Sequence, residues 1–194
     1  MTGTVRRTKW FGLAASAALA LVATGLAGCQ RHAEERKALA AARKTGATAR
    51  IIVLPDSAIA VQRGSPEEQL ADFLASDAPA PRTFRFQGAE YESWSSKPND
   101  PTLRRMYLMT QILHAYPHTK VTLVGYTDND GTPAQNLVLA TARVDKMTEI
   151  LVHGGVRPSH IEAIGKGAVD FIADNNTPEG RARNRRIELT VTAK

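Results

Sequence analysis

Cysteine is almost absent from this sequence: Cys29 stands alone among 194 residues, so no internal disulfide can form. The five histidines, at 32, 114, 118, 153 and 160, come with no Cys/His grouping that would hold zinc. A G-x-S-x-G elbow and a P-loop are both missing, which removes the familiar serine-hydrolase and nucleotide-binding signatures. Asp128-Asn129-Asp130-Gly131 hints at a calcium loop. An EF-hand, however, needs an acid at its first position and Glu at its last, where this chain has Tyr126 and Leu137. No catalytic residue, no metal ligand and no cofactor site is assigned.

Charge is missing from one long stretch. Trp10 to Gly28 carries none, and Arg6, Arg7 and Lys9 stand just before it, which is the layout of an export signal. The run is long enough for a membrane span, and a retained helix is the alternative. Its Ala/Gly-rich, weakly apolar composition favours a signal over residues 1–28. Leu26-Ala27-Gly28-Cys29 resembles a bacterial lipobox, in which the cysteine is acylated and becomes the first mature residue. The resemblance implies a lipid anchor at Cys29, and two or more acyl chains hold a protein stably. Gln30, rather than the Asp of an inner-membrane retention signal, points to the periplasmic face of the outer membrane. Without residues 1–28 the chain has 22 basic against 19 acidic residues. So mild an excess, in an exported protein, speaks against nucleic acid as a partner.

The remaining length allows one ordinary domain with flanking segments. Residues 29–48, including the Ala, Arg, Lys and Glu-rich run from His32 to Lys44, read as a tether. Ile51 to Leu54 and Ala58 to Val61 flank Pro55-Asp56-Ser57 and predict a short hairpin. Ser65, Pro66 and Glu68 mark a helix start with a capping box, followed by the apolar stripe Leu70, Phe73 and Leu74. Residues 49–76 are too few for a core of their own, so they should pack on the main domain or on a partner. Ala78-Pro79-Ala80-Pro81 reads as an extended linker and places a boundary at 82/83.

From Thr83 onward strands and helices alternate. Strands are expected over Thr83–Gln87, Lys120–Gly125, His160–Ile164 and Arg186–Val191. Helices should open at Asp100-Pro101 and Thr132-Pro133, with a short turn over Pro178–Ala182. Leu137, Ala140, Val144, Met147 and Leu151 form the expected buried stripe of the longer helix. The predicted fold class is α+β: a mixed sheet with helices on one face, βαβαβ in type, preceded by the hairpin-plus-helix extension.

Over residues 83–194 the chain resembles the OmpA-like peptidoglycan-associated domain. The likeness runs through Gly125-Tyr126-Thr127-Asp128-Asn129-Asp130-Gly131, then Asn136, Leu139 and Arg143, then Gly165-Lys166-Gly167, Asn175, Gly180-Arg181-Ala182 and Asn184-Arg185-Arg186. Departures from the family pattern are Tyr126 for a usual His, Ala140 and Val144 around the helix arginine, and Phe171 for a usual Pro.

Asn136 and Arg143 lie seven apart on one helix face, roughly 10 Å along its axis at ~1.5 Å per residue. Because helical side chains lean toward the N-terminus, Arg143 can reach back toward Asp128 in the preceding turn. An acid and a base so placed suit a zwitterion, the acid taking an ammonium and the guanidinium forking onto a carboxylate. Taken without the family, the same pair reads first as an internal salt bridge that pins loop to helix.

The resemblance implies that the ligand is the free end of meso-diaminopimelate in peptidoglycan, held by Thr127, Asp128, Asn136, Arg143 and Arg186, with Arg185 in a supporting role. It implies an outer-membrane lipoprotein that ties membrane to wall without being an enzyme. A wall-anchoring subunit of an envelope-spanning secretion or export complex is the alternative, with residues 49–76 as the contact for an envelope partner.

Overall fold

The computed structural model describes residues 49–88, 91 and 94–194. The export signal of residues 1–28, Cys29 and the tether of 29–48 lie outside the described residues. The described chain opens with the antiparallel hairpin β1 (Ala49–Val53) and β2 (Ala58–Gln62), then α1 (Pro66–Ala75). There follow β3 (Arg82–Gln87), α2 (Asp100–Ala115), β4 (Lys120–Tyr126), α3 (Pro133–His153), a 3-10 turn (Pro158–His160), β5 (Ile161–Gly167), α4 (Pro178–Asn184) and β6 (Arg186–Ala193). Among the described residues no helix is long and apolar enough to cross a membrane.

Among the described residues each of the four α-helices begins at a side-chain cap with a proline one or two residues on. Ser65, Asn99, Thr132 and Thr177 accept from the backbone N–H three residues on, and Pro66, Pro101, Pro133 and Pro178 supply the preset φ. In α3 the cap is reciprocal, Gln135 reaching back to the Thr132 backbone.

The main sheet has the order β3-β6-β4-β5, antiparallel except for the parallel β4–β5 pair. Register stacks Phe84, Leu189 and Leu123 in one row and Phe86, Ile187, Gly125 and Gly165 in the next, all on the face turned to the helices. Against those rows pack Met106, Met109, Ile112 and Leu113 of α2 and Val144, Met147 and Leu151 of α3. The opposite face carries polar pairs such as Thr83 with Thr190, Arg85 with Glu188 and Thr122 with Glu162.

Gly125 and Gly165 let α3 lie directly on the strands. A Cβ on Gly165 would stand 2.4 Å from the Thr141 amide nitrogen, and one on Gly125 would stand 3.0 Å from the Ala140 carbonyl. Gly167, at φ +69, lies equally close beneath Leu137.

Two expectations need correction. Leu137 is not in the buried stripe but 49% exposed, and the stripe instead includes Asn136 and Arg143. The first turn of α3 overhangs the strand ends, where what it covers is a polar loop rather than apolar core. The third strand runs from Ile161 to Gly167 rather than from His160 to Ile164. Parallel pairing with β4 draws in the glycines, and His160 belongs to the 3-10 turn.

Residues 49–76 pack on the main body. Ile52, Ile59, Val61, Leu70, Phe73 and Leu74 share one continuous core with the sheet and α2, and Ala78 of the proline-rich run packs against it. Phe73 meets Phe84 at 5.6 Å between ring centroids. Glu67, almost fully buried, pairs with Arg105 of α2 at 2.8 Å.

Candidate functional site

The site forms where β4 ends and α3 begins. The Thr127 N–H donates to the Gly167 carbonyl at 3.0 Å, and its hydroxyl donates to the Asp128 carbonyl at 2.9 Å. Gly131, at φ +82, turns the chain back toward the helix. Asn136 donates from Nδ2 to the Asp130 carbonyl at 2.6 Å. Thr127 and Asn136 are both buried, and in this structure they brace the Asp128 loop from below.

A second brace comes from the segment before β6. The fully buried Asn184 accepts from the Ile172 and Ala173 amides and donates to the Ala173 carbonyl and to Asn175 Oδ1. Asn175 Oδ1 in turn accepts from the Asn129 amide at 3.3 Å. Gly180 is required here because a Cβ would fall 1.8 Å from the Asp174 carbonyl oxygen.

The expected approach of Arg143 to Asp128 does not take the form of an ion pair. Asp128 Oδ2 is bound by Arg185 Nη1 at 2.8 Å, while among the described residues Oδ1 accepts only a long bond from the Asp130 amide at 3.3 Å. Arg185, reaching in from the residue that caps α4, is nearer to the acid than the α3 side chain. Arg143 turns instead to the loop between β3 and α2. Its Nε donates to the Ser95 carbonyl at 3.2 Å and its guanidinium lies 4.2 Å over the Tyr91 ring. Burial lowers its pKa below the ordinary guanidinium value, opposed by Tyr91 and by the nearby charge of Asp128. The cation therefore sits in the field of Asp128 without touching it.

Arg186 is the third guanidinium. Only 3% exposed, it stacks 3.7 Å over the Tyr126 ring, donates from Nε to Glu188 and from Nη2 to the Asp170 carbonyl. Tyr91, Gly125, Tyr126, Ala140, Arg143, Arg185, Arg186 and Ile187 enclose a cleft of about 220 Å³ including its open mouth. Thr127, Asp128 and Asn136 shape the loop beside it, and Arg143 and Arg186 line it.

Tyr91 and Trp94 were not singled out by the sequence reading. Trp94, at φ +49 and 51% exposed, lays its ring over Gly131. Nothing in the local pattern of the 88–98 segment points to these residues, because their role arises from contacts with α3 and the Asp128 loop. His114 and His118 have a four-residue spacing that can serve a metal on a helix, but α2 ends at Ala115 and separates them. No group of three or more His, Cys, Asp or Glu side chains able to hold a metal occurs among the described residues.

Residues 97–185 match the OmpA family. The chain is 47% identical over 79 residues to the peptidoglycan-binding protein ArfA of Mycobacterium tuberculosis, covering 41% of this chain and 24% of that protein. It is 39% identical over 84 residues to the probable lipoprotein YiaD of Escherichia coli, covering 43% and 38%. The chain thus spans about a quarter of the length of the first curated relatives it matches. In fold it is similar to the periplasmic domain of Helicobacter pylori MotB, with TM-score 0.53 and 20% identity over 61% of this chain and 78% of that one. The cell wall anchor of the T6SS from Pseudomonas aeruginosa matches with TM-score 0.53 and 25% identity over 69% of this chain and 100% of that one.

Proposed function

We propose that this chain is an outer-membrane lipoprotein, anchored through Cys29, that binds peptidoglycan non-covalently and is not an enzyme. One observation carries the binding reading. Arg143 is a buried guanidinium held on an aromatic ring, and among the described residues no carboxylate pairs with it. A buried charge without a counter-ion is costly, so a site that keeps one is suited to an incoming anion. Asp128 complements it, since Oδ1 has only a weak partner and can take an ammonium while Oδ2 stays on Arg185.

One acid and one guanidinium that no carboxylate among the described residues pairs with fit the zwitterionic end of a diaminopimelate stem, the ammonium on Asp128 and the carboxylate on Arg143. The relatives named for peptidoglycan binding and as a lipoprotein support the class of ligand and the envelope location. Co-sedimentation with purified sacculi tests the reading. Asp128→Ala and Arg143→Ala should each lose about 30-fold or more in affinity, from a cost of ~2–5 kcal/mol when one partner of a ligand-buried charge pair is removed. Wild-type pelleting by either variant, at matched melting temperature, would remove the site from consideration.

A wall-anchoring subunit of an envelope machine is the second reading, favoured by the likeness to the T6SS anchor along that chain's whole length. Crosslinking that recovered one stoichiometric protein partner would select it. For processing, mass spectrometry of the membrane form should give an acylated Cys29 as the first residue, and an intact Met1 would end the anchor proposal.

A further inference from the structure

Among the described residues three buried side-chain polar atoms have no hydrogen-bond partner, and two of them, the Tyr91 hydroxyl and Arg186 Nη1, belong to residues that line the same cleft. Buried polar groups are satisfied in the great majority of cases, and leaving one unmade costs more than a typical hydrogen bond returns. The third, Thr119 Oγ1, lies elsewhere, so two of the three fall on the walls of one small cleft. Each belongs to a group otherwise well held. Tyr91 is fixed by a backbone bridge to Pro98 and by the Arg143 guanidinium on its ring, and Arg186 by Tyr126, Glu188 and the Asp170 carbonyl. The unsatisfied atoms are therefore rigidly presented, each a donor. Burial pushes the Tyr91 hydroxyl up to about 12, against the pull of the Arg143 charge, so it keeps its proton throughout the physiological range.

We infer that Tyr91 is a ligand-reading residue of this site, its hydroxyl donating to a carboxylate oxygen of the bound stem peptide alongside Arg186 Nη1. This rests on the wall-binding reading above and adds a residue and a selectivity to it. A carboxylate offers two charged acceptor oxygens to Arg143, Arg186 and Tyr91, all of which donate. The corresponding amide offers one neutral acceptor and an NH2 group that faces donors. A hydrogen bond to a charged acceptor is about twice as strong as one to a neutral acceptor, so the hydroxyl favours the free acid over the amide.

Tyr91→Phe keeps the ring under Arg143 and removes only the unsatisfied oxygen, so the variant should fold and melt no lower than wild type. Calorimetric titration of the detergent-solubilised full chain with uncrosslinked diaminopimelate muropeptides should show affinity falling roughly tenfold in Tyr91→Phe. Muropeptides amidated at the distal carboxylate should lose much less, so the preference for free acid over amide shrinks. Equal affinity of wild type and Tyr91→Phe for the free-acid stem would overturn the inference, as would an equal loss on both stems. A melting temperature lowered by the substitution would show that the hydroxyl has an internal partner and would overturn it as well. If the wild-type chain itself fails to bind sacculi, the wall-binding reading is what has failed. If wild type binds and Tyr91→Phe binds identically, only the assignment to Tyr91 has failed.

Discussion

A guanidinium that faces an aromatic ring keeps its in-plane N–H groups free for something else, and Arg143 and Arg186 are both held in that way. Lysine has no planar fork to lay on the ring, so Arg143→Lys should fail in sacculus binding almost as completely as Arg143→Ala. Ligand chemistry gives a sharper check on the Asp128 and Arg143 assignment. Stems with lysine in place of diaminopimelate retain the ammonium but lack the distal carboxylate. They should bind at least tenfold more weakly, and binding of the diaminopimelate stem should weaken as salt screens a partly open pair. Equal affinity for the two stem types in calorimetry would show that Asp128 and Arg143 do not read one zwitterion together. At this scale the sequence showed which residues gather here but not how they pair. Arg185 lies 57 positions from Asp128 in the chain, and no local pattern says that it, not Arg143, closes on the acid. The orphan hydroxyl of Tyr91 was equally out of reach, since a missing partner becomes visible only once every neighbour is placed.

Helices were the most legible elements because their starts are written in adjacent residues. Ser65-Pro66, Thr132-Pro133 and Thr177-Pro178 each join a cap to a preset φ, and all three open helices where that pairing falls. Strand limits and helix phase were less legible, since pairing and the overhang of α3 decide them from elsewhere in the fold. The contact between α3 and β5 shows what those elements do for the site. Gly165→Ala would drive a methyl into the Thr141 backbone, which unlike a side chain cannot swing aside. The expected cost is about 1–3 kcal/mol, read in urea unfolding, with weaker sacculus binding because Arg143 rides on the displaced helix.

The start of α1 offers a test by pH. Glu68 accepts from the Gly64 amide at 2.6 Å and from Arg50 at 3.0 Å, and these contacts lower its pKa below the ordinary 4.5. A depressed carboxyl stabilises the fold above its unfolded value and loses that contribution as pH falls below 4.5 and through the folded value. Thermal melts between pH 5 and pH 3 should therefore fall more steeply for wild type than for Glu68→Gln. Parallel curves would show that the clasp contributes nothing.

At the scale of the whole molecule the question is whether residues 49–82 are an appendage or part of the body. The proline-rich run suggests an appendage, yet the packing crosses it. Phe73 is 2% exposed against Phe84 of the sheet, Glu67 is buried on Arg105 of α2, and the Lys194 ammonium caps α1 by donating to the Phe73 carbonyl at 2.8 Å while lying over the Phe73 ring. Lys194 thus closes on the end of α1, and a chain trimmed to start at Thr83 would open the core along β3 and α2. One core implies one cooperative transition. Phe73→Ala should cost about 3–5 kcal/mol, as large-to-small changes in a packed core do. For a chain of this size that corresponds to a fall in Tm of roughly 6–20 °C. The loss should appear in the same transition that monitors Trp94 beside the site, because no boundary separates the two. A variant that melted in two steps, with the step sensed at Trp94 unchanged, would make the extension an independent unit and return residues 49–76 to the role of a contact for some other protein.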